Sequence, residues 1–138
     1  MGRVIGIDYG TKRVGLATTD PLQIIASPLE TVRTHLIFQY LQEYCGKEDT
    51  EAFVVGMPRN LDNSETHATK HVEGFVKKLK KTFPAHAIFL EDERFTSKQA
   101  LDAMIEGGTT KKFRREKGNI DKVSATIILQ SYLEKKHS

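Results

Sequence analysis

The chain has 138 residues, 38% of them hydrophobic and 28% charged, which is the composition of a soluble globule and excludes a disordered chain. No apolar run approaches the roughly 20 residues that span a bilayer, and a strand begins almost at once, so neither a membrane anchor nor a signal peptide is expected. One cysteine, Cys45, excludes an intramolecular disulfide and thiolate metal clusters, and 21 Lys and Arg against 18 Asp and Glu leave a net charge of +3 that names no partner by itself. A single cytoplasmic domain over residues 1–138 is the expectation.

Residues 4–9 and 14–19 read as a hairpin around Gly10-Thr11-Lys12, and Asp20-Pro21 breaks its second strand. Glycines at 6, 10 and 15 let the backbone pass close to something bulky. Residues 24–27, or the whole stretch to 32, read as a third strand interrupted by Pro28, which makes an antiparallel meander. Leu36, Ile37, Tyr40, Leu41 and Tyr44 recur at helical spacing over 35–45, and Gly46 closes that segment. Residues 52–55 read as a buried strand opening at Gly56-Met57-Pro58.

A polar, turn-rich loop leads into a helix predicted over about 65–83, with Val72, Phe75, Val76 and Leu79 inward and Lys77, Lys78, Lys80 and Lys81 outward. Residues 87–90 read as another buried strand that runs into Glu91-Asp92-Glu93-Arg94. Thr96 or Ser97 caps a short helix to 105, stopped by Gly107-Gly108, and a basic loop precedes a last helix over about 120–134. Strands alternating with helices after a meander predict an α/β fold with a mixed sheet: three antiparallel strands, then two parallel ones, flanked by helices.

In such sheets the functional crevice lies at the carboxyl ends of the strands. Asp8, Gly56-Met57-Pro58 and Asp92-Glu93 all fall at predicted strand ends. A carboxylate at the end of a central strand needs a cation or a proton, unless it only closes its own turn. Glu91 and Glu93 share one strand face and Asp92 takes the other. Asp121 opens the last helix as a cap or first-turn residue, with the small Ser124 and Ala125 one turn on. Carboxylates converging from two strand ends and a helix start would suit Mg2+ or Mn2+, and two such ions ~4 Å apart would suit phosphodiester hydrolysis.

Gly6-Ile7-Asp8-Tyr9-Gly10-Thr11-Lys12, Val55-Gly56-Met57-Pro58-Arg59-Asn60, Asp92-Glu93-Arg94-Phe95-Thr96 and Asp121-Lys122-Val123-Ser124-Ala125 occur in that order. Together they resemble the YqgF/RuvX family of pre-16S rRNA nucleases, also described as Holliday-junction-resolvase-like proteins, over about residues 4–133. The resemblance implies an RNase H-like fold and assigns Asp8, Glu93 and Asp121 as the catalytic, metal-binding carboxylates. It leaves Asp92 as an auxiliary acid, with Arg94 either contacting a phosphate or orienting an acid. One departure is visible: the loop after Asn60 carries Asn63 near where the family often has glycine, and Asn tolerates the left-handed backbone.

Lys12 and Arg59 are expected phosphate contacts, though a solvated turn lysine is an equal reading of Lys12. Lys111, Lys112, Arg114, Arg115 and Lys117 surround Phe113 in a loop that would grip nucleic acid through its phosphates, if it is not simply solvated. His67 and His71 stand at a zinc-compatible spacing without a third ligand and read as exposed helix histidines. Cys45 lacks a histidine and acid arrangement for thiol catalysis. The first phosphate loop of sugar kinases is also similar to residues 8–12, but those proteins need a second domain for which there is no room. A metal-dependent endonuclease acting on structured nucleic acid is therefore expected; the resemblance alone implies RNA and the 5′ end of pre-16S rRNA, with branched-DNA resolution or non-catalytic nucleic-acid binding as alternatives. The expected state is a monomer or weak homodimer.

Overall fold

The computed structural model describes residues 2–58, 67–92 and 117–137. Their strands form one five-stranded sheet: β1 (Arg3–Tyr9), β2 (Arg13–Thr19), β3 (Ala26–Arg33), β4 (Thr50–Met57) and β5 (Ala87–Asp92). The spatial order is β3-β2-β1-β4-β5, with β1–β2 and β2–β3 antiparallel and β1–β4 and β4–β5 parallel. The expected meander and two parallel strands are therefore present. β1 sits in the middle, which buries Val4, Ile5 and Ile7 on alternating faces.

Helices α1 (Ile37–Lys47) and α2 (His67–Thr82) cover one face and α3 (Lys117–His137) the other. Ile5, Ile7, Leu16, Phe53 and Val55 point to α1 and α2, where Leu41, Val72, Phe75 and Leu79 complete the larger core. Val4, Ala17, Ala52 and Val54 point the other way and meet Ala125, Ile128 and Leu129 of α3. Side chains on the α3 side of the sheet are smaller, so α3 lies close to the strands. The inward and outward faces expected for α2 are those observed, with Lys77, Lys78, Lys80 and Lys81 exposed.

Of the two extents read for the third strand the longer one is observed, running through Pro28, and three other local expectations are corrected. β3 is an edge strand, where a missing N–H costs nothing to a neighbour, and the register shift between Leu16 and Ala17 absorbs the irregularity. Gly46 lies inside α1, which ends when the Glu48 N–H bonds the Tyr44 carbonyl. β5 is not a buried strand: it forms the other edge, and Phe89 and Leu90 are exposed. α3 begins at Lys117, so Asp121 is its fifth residue and not a cap, and Lys117 belongs to the helix and not to a loop. Residues 65 and 66 at the expected start of α2, and the helix expected over 96–105, lie outside the described residues.

The close approach of α3 rests on glycine. A Cβ at Gly6 would lie 2.7 Å from the Leu129 Cβ and 2.9 Å from the Ala125 carbonyl oxygen, one of them rigid helix backbone. Gly6→Ala is therefore expected to lower stability by about 1–3 kcal/mol through overpacking. Gly46→Ala, at a helical glycine with nothing within 4 Å, is expected to raise it by roughly 0.5–1 kcal/mol. Urea unfolding of both variants checks this, and a Gly6 variant as stable as the parent would remove the close-packing argument.

Candidate active site

Asp8 is the penultimate residue of β1 and pairs across the hairpin with Gly15 of β2. Paired residues of an antiparallel ladder share a face and stand roughly 4.5–5.5 Å apart. That face is the α3 face, because Asp8 has the parity of Val4 and Gly6. Across from it, the place a Gly15 side chain would fill is taken by α3 itself. A Cβ there would overlap the Asp121 carbonyl and come within 2.9 Å of the Asp121 Cβ. One missing side chain thus seats Asp121 beside the strand pair that carries Asp8.

Asp121 is held by Arg13, whose Nε donates to the Asp121 Oδ2 at 2.9 Å. Both side chains are about a quarter to a third exposed, at 24% and 32%, so water screens the pair only in part. Arg13 has Gly15's parity, two residues earlier on β2, and reaches α3 across the same face. Sequence reasoning does not single it out. Its signal is the alternation of the hairpin, which places Arg13, Gly15 and Asp8 on one side. One turn further along α3 the Ser124 hydroxyl is buried with no hydrogen-bond partner among the described residues.

The acids at the end of β5 divide by face. Glu91 lies on the α3 side, where it accepts from the Ser131 hydroxyl at 3.2 Å and pairs with the Lys135 ammonium. With its side chain only 7% exposed, Glu91 is committed to holding α3 against β5. Asp92 takes the other parity, is exposed, and pairs in register with Met57. Glu93, Arg94, Arg59, Lys111, Lys112, Arg114 and Arg115 lie outside the described residues, as does the Lys117 side chain. Lys12 is exposed on the β1–β2 turn. Among the described residues no three His, Cys, Asp or Glu side chains form a metal-binding group. Of the expected catalytic acids, Asp8 and Asp121 are the two that the described residues bring together.

Other nucleophiles are poorly placed for chemistry. Burial pushes the Cys45 thiol up, against a smaller lowering by its hydrogen bond with Thr50, so it holds less thiolate than a free cysteine. His71 is exposed on α2. No described helix is long and apolar enough to cross a membrane.

The donor set at Asp8 and Asp121 is hard oxygen, and the nearby Ser124 hydroxyl has unused hydrogen-bonding capacity among the described residues. It fits a hard divalent cation completed by water and further carboxylate oxygens.

Comparisons with known proteins agree with this fold and its setting. Solved structures of Thermus thermophilus RuvC are similar over nearly the whole chain. One, in complex with Holliday junction substrate, matches with a TM-score of 0.59 at 21% identity over 99% of this chain and 96% of that one. Another T. thermophilus RuvC structure gives a TM-score of 0.56 at 19% identity. These likenesses bear out the RNase H-like fold. A protein of Amoebophilus asiaticus, provisionally named pre-16S rRNA nuclease, is 53% identical over 96% of this chain and 94% of its own. Relatives from Parabacteroides distasonis and Porphyromonas gingivalis, with the same provisional name, are 48% and 47% identical over 99% and 97% of this chain, and over 97% of their own length in each case. The family model described as "RuvX: Holliday junction resolvase" matches residues 2–135, and the chain belongs to the RuvX family.

Proposed function

We propose that this protein is a metal-dependent endonuclease that hydrolyses phosphodiester bonds in structured nucleic acid and trims the 5′ end of pre-16S rRNA in ribosome biogenesis. The observation that carries the reading is the seating of Asp121 against Gly15, the cross-strand partner of Asp8, at the carboxyl end of the central strand. The rRNA substrate is supported by the provisional names of relatives at 47–53% identity over nearly the full chain.

Asp8 and Asp121 are the proposed catalytic carboxylates that hold the ion. Glu93, outside the described residues, is proposed as the third on its place in the Asp92-Glu93-Arg94 motif that resembles the family's. Mg2+ or Mn2+ held there would supply a water of lowered pKa and counter-charge for the scissile phosphate. Without a cation the carboxylates would repel a phosphodiester. Arg13 neutralises Asp121 and fixes the direction of its Oδ2. Lys12, exposed on the turn beside Asp8, is a proposed phosphate contact, and Asp92 and Arg94 are auxiliary.

Asp8→Asn is expected to reduce cleavage of a pre-16S 5′-leader RNA on the order of a thousandfold, with binding retained or improved. Cleavage assays with Mg2+, Mn2+ or EDTA, beside gel-shift titration, test this; wild-type turnover in the purified variant would end the proposal. A labelled four-way DNA junction in the same assay separates the readings, because paired symmetric cuts there would move the function to resolution. Arg13→Gln is expected to lower the melting temperature of the metal-free protein, in line with a pair worth about 1 kcal/mol. It should also enlarge the rise in melting temperature on adding Mn2+, since the ion then relieves an unpaired acid. A smaller Mn2+ shift in the variant would mean that Arg13 positions Asp121 for the ion more than it neutralises it.

A further inference from the structure

We propose that a basic groove running from the β1–β2 turn over the sheet rim to α2 binds the phosphates of a polynucleotide strand flanking the scissile bond. Two cavities of about 410 Å3 each meet at Thr34 and His35. Lys12, Arg33 and His35 line the first, and His35, Lys70, His71 and Lys78 line the second. All six side chains are exposed, and no carboxylate lines either cavity among the described residues. A chain with 21 basic and 18 acidic residues has no compositional reason to segregate charge so completely.

The groove is joined to the carboxylate site at both of its levels. Arg33 is the cross-strand partner of Arg13, the residue that grips Asp121. Tyr9, which lines the second cavity, is the residue after Asp8 and points to the opposite face. A strand leaving the acids therefore has a continuous cationic path over the rim.

The walls are rigid. The Thr34 hydroxyl donates to the Gly10 carbonyl at 2.7 Å and the Thr34 N–H to the Lys12 carbonyl at 3.1 Å, which ties the turn to the end of β3. The floor of the second cavity is aromatic: Tyr9 stacks on Phe75 with centroids 4.4 Å apart, and Phe38 leans on Phe75 at 5.4 Å. The Lys78 ammonium stands 4.5 Å over the Phe38 ring. Cations spread along a channel suit a polyanion better than a compact one, and an apolar floor between them suits the sugars and base edges of a nucleic acid. The identity of that polyanion rests on the nuclease reading; the groove itself does not.

The test uses full-length protein carrying Asp8→Asn, so that substrate stays intact, and a fluorescein-labelled RNA hairpin with a long single-stranded 5′ extension. Binding is followed by anisotropy across a series of KCl concentrations. Arg33→Glu with Lys70→Glu is expected to weaken binding at least tenfold. It should also flatten the slope of log K against log salt by about 2, roughly one for each phosphate no longer neutralised. Lys47→Glu with Lys81→Glu, matched in net charge and away from the groove, is the control, and Arg33→Gln with Lys70→Gln is the milder pair should reversal disturb folding. Equal effects of groove and control pairs, or an unchanged slope, would overturn the proposal. So would displacement of the RNA by polyglutamate at equal charge concentration, since the groove would then be an acidic-peptide site. Failure of the nuclease reading has a different signature: wild-type protein that cuts no substrate with any metal while the groove pair still loses binding.

Discussion

The whole arrangement depends on how closely one helix can lie on one sheet. α3 crosses β1 and β2 where those strands carry Gly6 and Gly15, and its own backbone fills the space that side chains there would occupy. That contact buries Leu129 and Ala125 fully, so apolar burial and site assembly are the same event. Any larger residue at Gly15 would push Asp121 away from the strand that carries Asp8. The two demands, a dense core and a converged pair of acids, are met by the same absence of side chains.

Convergence of like charges would oppose folding without a local answer. Arg13 provides it by bonding Asp121 from the hairpin that also carries Asp8. Among the described residues Arg13 is the cation that bridges hairpin and helix at this acid. Glu91 illustrates the contrary fate of an acid on the same face: Lys135 and Ser131 consume it, and it becomes a strut between α3 and β5. Burial and pairing, not residue type, decide which acids serve as such struts.

Much of this is legible in the residues alone. The hairpin, the strand-helix alternation and the inward stripe of α2 follow from periodicity, and the carboxyl-end position of Asp8 follows from them. What escapes depends on long-range placement. Gly118 and Asn119 are weak helix formers, so the first turn of α3 reads as loop, whereas the helix extends back to Lys117. Ala87-Ile88-Phe89-Leu90 is an uninterrupted apolar run that local pattern cannot distinguish from a central strand, and the sheet order makes it an edge. Arg13 reads as one more basic residue of a turn, because its partner lies 108 residues away.

That separation has a consequence for timing. Arg13 and Asp121 are joined only after almost the entire chain has been made, and ribosomes add roughly 5–20 residues per second. For several seconds a nascent molecule therefore carries the residues of the hairpin, Asp8 among them, and none of α3. Asp121 is still to be added during that time. The pairing that seats Asp121 beside the hairpin is thus among the last contacts the chain can make, however early its first strands emerge.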